Sequence, residues 1–242
     1  MNKLQLIDDF RQVLHGYHMS DDAVETLHKS HVVMLIGPTS AGRNTIINEL
    51  VATGDYYYIV SDTTRKPRVN DGVLEQTGRE YWFRTEEELL NDLRAGSFLE
   101  AAIIHQQQVS GMSIREFAKA SEQGKIAISE IEIAGGASVH AAKPDAQLIF
   151  VVPPSFDEWM TRMRVRGELP QDETKRRLES AVKEITQALE VSYYHFVVND
   201  TYKHAARDIH ALSGAQSMPD DSQARAVARQ LLADTQAHLT TL

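Results

Sequence analysis

The chain has 242 residues, 25 Lys and Arg against 34 Asp and Glu, a formal net charge of −9 and no cysteine. That balance excludes the broad basic footprint of a nucleic-acid binder, so a phosphate site must be a local concentration of cations. Without cysteine there are no disulfides, thiolate metal sites or cysteine nucleophiles, and no run is apolar and long enough to span a membrane.

Leu4, Ile7, Phe10, Val13 and Leu14 recur at helical spacing, and Ser20-Asp21-Asp22 reads as the cap of a second helix ending near Lys29. Residues 1–30 are therefore expected to form a helical extension. They meet acidic residues before any stretch of signal-peptide length, and the expectation is a cytoplasmic protein. The apolar run Val32 to Ile36 leads directly into Gly37-Pro38-Thr39-Ser40-Ala41-Gly42-Arg43-Asn44-Thr45, and a helical pattern follows to Val51. Further strands are expected at Tyr57 to Val60, Tyr81 to Phe83, Leu99 to Ile104, Ile126 to Ile131, Gln147 to Val152 and Phe196 to Val198. Thr85 with Glu88 and Ser155 with Glu158 have capping-box spacing, opening helices near 86–95 and 156–166. Asp172 to Glu190 is a longer helical pattern, and Asp200 is placed to cap a helix reaching about Leu212. Ser213 to Asp221 reads as a linker, and Ala224, Val227, Leu231 and Leu232 mark a terminal amphipathic helix.

Alternating strands and helices with a glycine loop after the first core strand predict an α/β fold, a P-loop NTPase-type parallel sheet flanked by helices. In such sheets ligands bind beyond the carboxyl ends of the strands. The loop keeps the frame G-x-x-x-x-G of a phosphate-binding loop through Gly37 and Gly42, with Arg43 at the lysine position and Asn44 at the hydroxyl position. Its backbone N–H groups at the mouth of a helix bind phosphate oxygens whatever the side chains are. Downstream, Ser61-Asp62-Thr63-Thr64-Arg65-Lys66-Pro67-Arg68 sets three cations beside hydroxyls. Two arginines three apart suit a phosphate gripped from two sides.

From about Val32 to Leu212 the chain resembles a guanylate kinase. The resemblance is carried by the loop at 37–42 and the segment 61–68, by Gly78-Arg79-Glu80-Tyr81-Trp82-Phe83 and Phe98-Leu99-Glu100, and by Glu130-Ile131-Glu132 and Pro153-Pro154-Ser155. Arg162-Met163-Arg164-Val165-Arg166-Gly167, Arg176-Arg177-Leu178 and Val198-Asn199-Asp200 continue it in order and spacing. It implies a small mixed insert that binds the nucleoside monophosphate, about 61–112, and a helical lid, about 160–178. It implies ATP contacts at Gly37, Pro38, Thr39, Ser40, Ala41, Gly42, Arg43, Asn44, Thr45 and Asn199. GMP contacts are implied at Ser61, Arg65, Arg68 and Tyr81 for the phosphate, Glu100 for the guanine N1–H and amino group, and Glu130 and Glu132 at a core strand end. Arg43, Arg162, Arg166 and Arg177 would carry the transferring charge, with Asn44 and Glu130 beside Mg²⁺.

The sequence also departs from that pattern. Arg43 keeps the charge of the usual lysine with a wider fork, and Asn44 offers an amide where a hydroxyl ligates the metal. Between His105 and Met112 the usual tyrosine is gone, and Met112 replaces a hydroxyl that recognises the guanine oxygen. Asp62 sets a carboxylate beside the phosphate clamp. Two readings stand: a kinase passing the ATP γ-phosphate to GMP or dGMP, and a non-catalytic module binding a nucleotide or phosphorylated partner at the former GMP site. The terminal helices are expected to dock on their own domain or to serve a partner or second copy.

Overall fold

The computed structural model describes residues 4–70, 72–165, 167, 170–215 and 218–242. The first third runs α1 (Ile7–His15), α2 (Asp21–Lys29), β1 (Val32–Ile36), α3 (Arg43–Ala52), β2 (Tyr56–Tyr58), β3 (Asp62–Thr63), β4 (Val69–Asn70) and β5 (Val73–Leu74). Next come β6 (Trp82–Phe83), α4 (Glu86–Arg94), β7 (Phe98–Ile104), β8 (Gln108–Ser113), α5 (Ile114–Glu122), β9 (Ile126–Glu130) and α6 (Ile133–Ala142). The chain closes with β10 (Gln147–Val152), α7 (Phe156–Val165), α8 (Gln171–Glu190), β11 (Tyr194–Val198), α9 (Tyr202–Ser213) and α10 (Ser222–Leu239).

Two compact units result, one of Met1–His31, Tyr57–Ala127 and Ala141–Pro144, the other of Val32–Tyr56, Ile128–His140 and Asp145–Leu242. The second is built on a five-stranded sheet of order β11-β10-β1-β9-β2. Within it β10 runs parallel to β1, with Leu35 opposite Ile149, and to β11, with Phe150 opposite Phe196. Every residue of β1 is buried, as are five of the six in β10. Strands covered on both faces need continuous apolar runs, which is why Val32 to Ile36 shows no alternation. The edge strand β11 is closed by α10: the Asp221 carboxylate accepts from Phe196 N at 2.9 Å and Arg225 Nη2 donates to Tyr194 O at 2.6 Å.

In the first unit a mixed four-stranded sheet has the order β6-β3-β8-β7, with β3 parallel to β6 and antiparallel to β8. Beside it β4 and β5 form a separate two-stranded ribbon. The N-terminal extension belongs to this unit. Leu4, Ile7 and Phe10 share one buried cluster with Leu89, Leu90, Leu93, Phe98 and Val109. The Tyr17 hydroxyl donates to Phe98 O at 2.6 Å and accepts from Phe98 N at 2.7 Å, occupying the edge of β7.

Several expected boundaries shift. The altered stretch 106–111 is not one loop: a turn in which His105 and Gln106 take φ of 49° and 58° leads into the strand Gln108–Ser113, paired with β7. Its Gln, Ser and Gly residues have weak strand propensity, and pairing overrides it. Thr201 rather than Asp200 caps α9, its hydroxyl accepting from His204 N at 3.3 Å, while the Asp200 carboxylate turns to Thr201 N and His204 Nδ1. The Thr85–Glu88 capping box is closed in both directions. At Ser155 only half forms, because the Glu158 carboxylate takes Arg162 Nε at 2.9 Å.

Candidate active site

In the second unit, β1 ends at Ile36 and the chain turns through Gly37 to Gly42 into α3. Gly37 has φ of 145°, and a Cβ there would sit 2.4 Å from Val151 O. Gly42 has φ of 94°, and its Cβ would meet Asn199 Nδ2 at 2.3 Å. Backbone closes the first place to any side chain, and the positive φ makes any L side chain strained at the second. The loop is also held through its carbonyls: Trp159 Nε1 donates to Thr39 O at 2.8 Å, and Asn199 Nδ2 to Ala41 O at 2.7 Å. Asn199, expected near the donor base, is thus committed by one amide hydrogen to the loop.

Residues 39–45 with Glu158, Thr161, Arg162 and Val165 line a cavity of about 340 Å³. The first-turn N–H groups of α3 open at this loop and supply the partial positive charge of a helix N-terminus. Arg162 reaches the cavity wall, with Nη1 on Asn199 O at 3.0 Å and Nη2 on Asp200 O at 3.2 Å. Arg43 is half-buried and donates from Nη1 to Ile131 O at 3.3 Å. Its charge also acts on Glu184 of α8, whose carboxyl is pushed up by burial, lowered by a Ser180 hydrogen bond and by Arg43, and raised again by Glu132. Asn44 and Thr45 are exposed in the first turn of α3.

At the end of β9, Glu130 Oε2 is buried without a hydrogen-bond partner, whereas Glu132 is exposed. Among the described residues no three carboxylates or imidazoles gather in metal-binding geometry. One orphaned carboxylate oxygen fits a Mg²⁺ ion held chiefly by phosphate oxygens and water rather than by a protein cage. Of the expected lid arginines, Arg162 lines the cavity. Arg177 does not, and donates from Nε to Glu173 Oε1 at 2.8 Å on its own helix. Arg166 lies outside the described residues.

In the first unit, β3 positions the basic segment. Thr63 and Thr64 pin it to β8, with Thr64 Oγ1 accepting from Val109 N at 2.9 Å and Ser110 Oγ donating to Thr63 Oγ1 at 2.8 Å. Arg65 then forks onto Glu75, Nη1 to Oε2 at 2.6 Å and Nη2 to Oε1 at 3.0 Å, with side chains only 10% and 8% exposed. The same carboxylate accepts from Arg68 N and Asn70 Nδ2. The Arg65 bond is the chief cause that pulls the Glu75 carboxyl down to about 2. The guanidinium also stacks over Tyr81 and Phe83, 5.0 and 5.6 Å from their centroids. Ser61 is half-buried at the entry of the segment, and Arg68 is exposed beyond Arg65.

Asp62 does not face this clamp. Successive strand residues point to opposite faces, and its fully buried carboxylate accepts from Arg84 Nη1 and Arg115 Nη2, each at 2.8 Å. Burial pushes its carboxyl up, and the two arginines oppose that push. The expectation that Asp62 sets its carboxylate beside the clamp is therefore corrected. Glu100 stands half-buried in β7 directly across from Met112 in β8, and Met112 is 2% exposed. A thioether thus stands opposite the carboxylate.

Sequence reasoning missed Glu75 as the partner of Arg65, and Arg84 and Arg115 as the partners that hold Asp62. Only Glu75 had a local signal: Gly72 between Val69-Asn70 and Val73-Leu74 is turn chemistry, and the antiparallel β4–β5 pair brings Glu75 N to Arg68 O at 2.9 Å.

The guanylate kinase family model matches residues 29–214. A guanylate kinase of Corynebacterium diphtheriae is 35% identical over 180 residues, 74% of this chain and 91% of that protein. One of Synechococcus sp. is 38% identical over 190 residues, 76% and 82% of the two chains. The crystal structure of guanylate kinase from Anaplasma phagocytophilum shares the fold, with a TM-score of 0.57 at 23% identity over 85% of this chain and 94% of that one. Among the described residues no helix is long and apolar enough to cross a membrane. The glycine loop, the Arg65 clamp and the Glu100 strand all lie inside the matched span, and this chain belongs to the guanylate kinase family of phosphotransferases.

Proposed function

We propose that this chain transfers the γ-phosphoryl group of ATP to GMP or dGMP, giving ADP and the nucleoside diphosphate, in the cytoplasm. The observation that carries the reading is the cavity shaped by Gly37 and Gly42, with Arg43 and Arg162 on its wall. A phosphate oxygen of GMP attacks Pγ, the bond from Pγ to the β–γ bridging oxygen breaks, and ADP leaves with that oxygen's electron pair. This reaction needs alignment and charge neutralisation more than proton transfer. The loop N–H groups hold the donor phosphates, and Arg43 and Arg162 face the charge that develops. An arginine in that role is worth about 10³ to 10⁵ in rate. Glu130, with its orphaned Oε2, and Asn44 are the protein groups that would hold Mg²⁺, which would supply neutralisation of phosphate charge. Arg166 and Arg177 complete the lid in this reading, and Asn199 supports the loop and the donor base.

On the acceptor side, Arg65, Arg68, Ser61 and Tyr81 grip the GMP phosphate, Glu100 accepts from the guanine N1–H and amino group, and Glu132 flanks the acceptor. The Arg65–Glu75 fork supports this assignment by fixing the plane of one phosphate-binding guanidinium before substrate arrives. The test is ADP release with ATP, Mg²⁺ and a panel of GMP, dGMP, AMP, UMP and CMP, with Arg65→Ala as the control. Turnover on GMP or dGMP that disappears in the control is expected. GMP binding by calorimetry without turnover on any monophosphate would instead make this a module that binds nucleotides or phosphorylated partners at the acceptor site.

A further inference from the structure

Ser40 occupies one of the free positions of the loop pattern, so the G-x-x-x-x-G frame asks nothing of its side chain. It nevertheless carries two costs. Its φ is 62°, in the left-handed region that non-glycine residues avoid. The residue is 9% exposed, and Oγ is buried without a hydrogen-bond partner. An unpaired buried hydroxyl is expensive, and strain of this kind persists where a functional contact uses it. A glycine at position 40 would remove both costs at once. Ser40 also lines the cavity between the glycine loop and α7. Meanwhile Arg43, the cation at the end of the loop, already gives one N–H to the Ile131 carbonyl.

We propose that the Ser40 hydroxyl is a donor to the phosphate chain of the nucleotide, a side-chain ligand added to the backbone cradle in a loop that lacks the usual lysine and hydroxyl. The inference rests on the donor-site reading above and adds a named contact to it. The partner that Oγ lacks is an oxygen of a polyphosphate bound in the cavity. The motion required is a change of χ1 well, which for a serine costs little and is fast. A neutral donor to an ionised phosphate oxygen makes a charge-assisted bond, stronger than one to a neutral acceptor.

Ser40→Gly and Ser40→Ala separate this role from a structural one, because the first removes both hydroxyl and strain and the second removes the hydroxyl alone. Calorimetry with Mg²⁺-ATP and with inorganic tripolyphosphate should show affinity falling about tenfold for both ligands in both variants. The melting temperature of Ser40→Gly without nucleotide should meanwhile equal or exceed that of the parent. A purely structural serine predicts the opposite pairing, with stability and affinity moving together. Variants that bind both ligands as tightly as the parent would overturn the proposal, as would a parent that binds neither. Loss confined to ATP would also overturn it, since the contact would then lie on the nucleoside. A parent that binds tripolyphosphate and ATP but transfers no phosphoryl group would refute the kinase reading and leave the Ser40 comparison fully readable.

Discussion

Replacing Glu75 by glutamine tests whether the acceptor clamp is built as described. The carboxylate accepts four hydrogen bonds, Arg65 Nη1 and Arg68 N on Oε2, Arg65 Nη2 and Asn70 Nδ2 on Oε1. A glutamine whose oxygen takes the Oε2 place keeps the first two and turns an NH₂ group against two donors at the other. It also leaves the buried guanidinium without a counter-charge. Removing one partner of a buried pair costs about 3 to 5 kcal/mol. With two bonds retained, the lower end, about 3 kcal/mol, is the expected loss. At roughly 2 to 4 °C per kcal/mol for a chain of this size, the melting temperature should fall by about 6 to 12 °C at pH 7.

The pH dependence sharpens the test. The Glu75 carboxyl is depressed from 4.5 to about 2 in the folded protein, chiefly by the Arg65 bond. Its stabilisation is therefore complete above about 4.5 and is lost as pH falls through about 2. The gap in melting temperature between parent and variant should be constant from pH 8 to 5 and narrow between 4.5 and 2. Kinetically, KM for GMP should rise about tenfold while KM for ATP stays within a factor of about two, because Arg65, which grips the GMP phosphate in the proposed function, loses its fixed plane. A variant that melts with the parent at pH 7, or one that weakens ATP and GMP equally, would refute the reasoning.

Arg43→Lys restores the residue that the loop pattern prefers, and kcat should be preserved or raised in the ADP-release assay; loss of activity would mean that the arginine fork has its own fitted geometry. Met112→Thr places a hydroxyl opposite Glu100 and should raise the GMP preference over AMP, read as the ratio of kcat/KM values, about tenfold. Tyr17→Phe strands the Phe98 N–H and carbonyl, and the urea midpoint should fall by an amount worth about 1 to 3 kcal/mol with the slope unchanged.

The elements that the sequence made legible were those with a strong local code. Val32 to Ile36 and Gln147 to Val152 have the unbroken apolar run of a doubly covered strand, and Thr85 with Glu88 carries its cap within four residues. Illegible elements depended on distant partners. Asp62–Thr63 is too short to show a period, and Gln108–Ser113 is held as a strand by β3 and β7 rather than by its own residues. Site residues divide the same way. Arg65 and Arg68 stand out in a short run, but the fate of Asp62 was decided by Arg84 and Arg115, 22 and 53 residues away. A sequence window shows a carboxylate beside a phosphate clamp; the pleat shows it on the other face.

The glycine loop illustrates why a motif can lose its most chemical residues and keep its shape. Four contacts set its course: the close approach of Gly37 to Val151 O, that of Gly42 to Asn199, and the bonds from Trp159 to Thr39 O and Asn199 to Ala41 O. None of them uses the side chain of Arg43 or Asn44. The cradle that presents backbone N–H groups is thus specified independently of the two positions where this chain departs from the pattern. Under the proposed function, substitution there acts on charge placement and metal ligation, while substitution at Gly37, Gly42, Trp159 or Asn199 acts on the cradle itself. In calorimetric terms, changes at 43 and 44 should alter affinity for nucleotide with little change in folding stability. Changes at the four anchoring residues should lower both together.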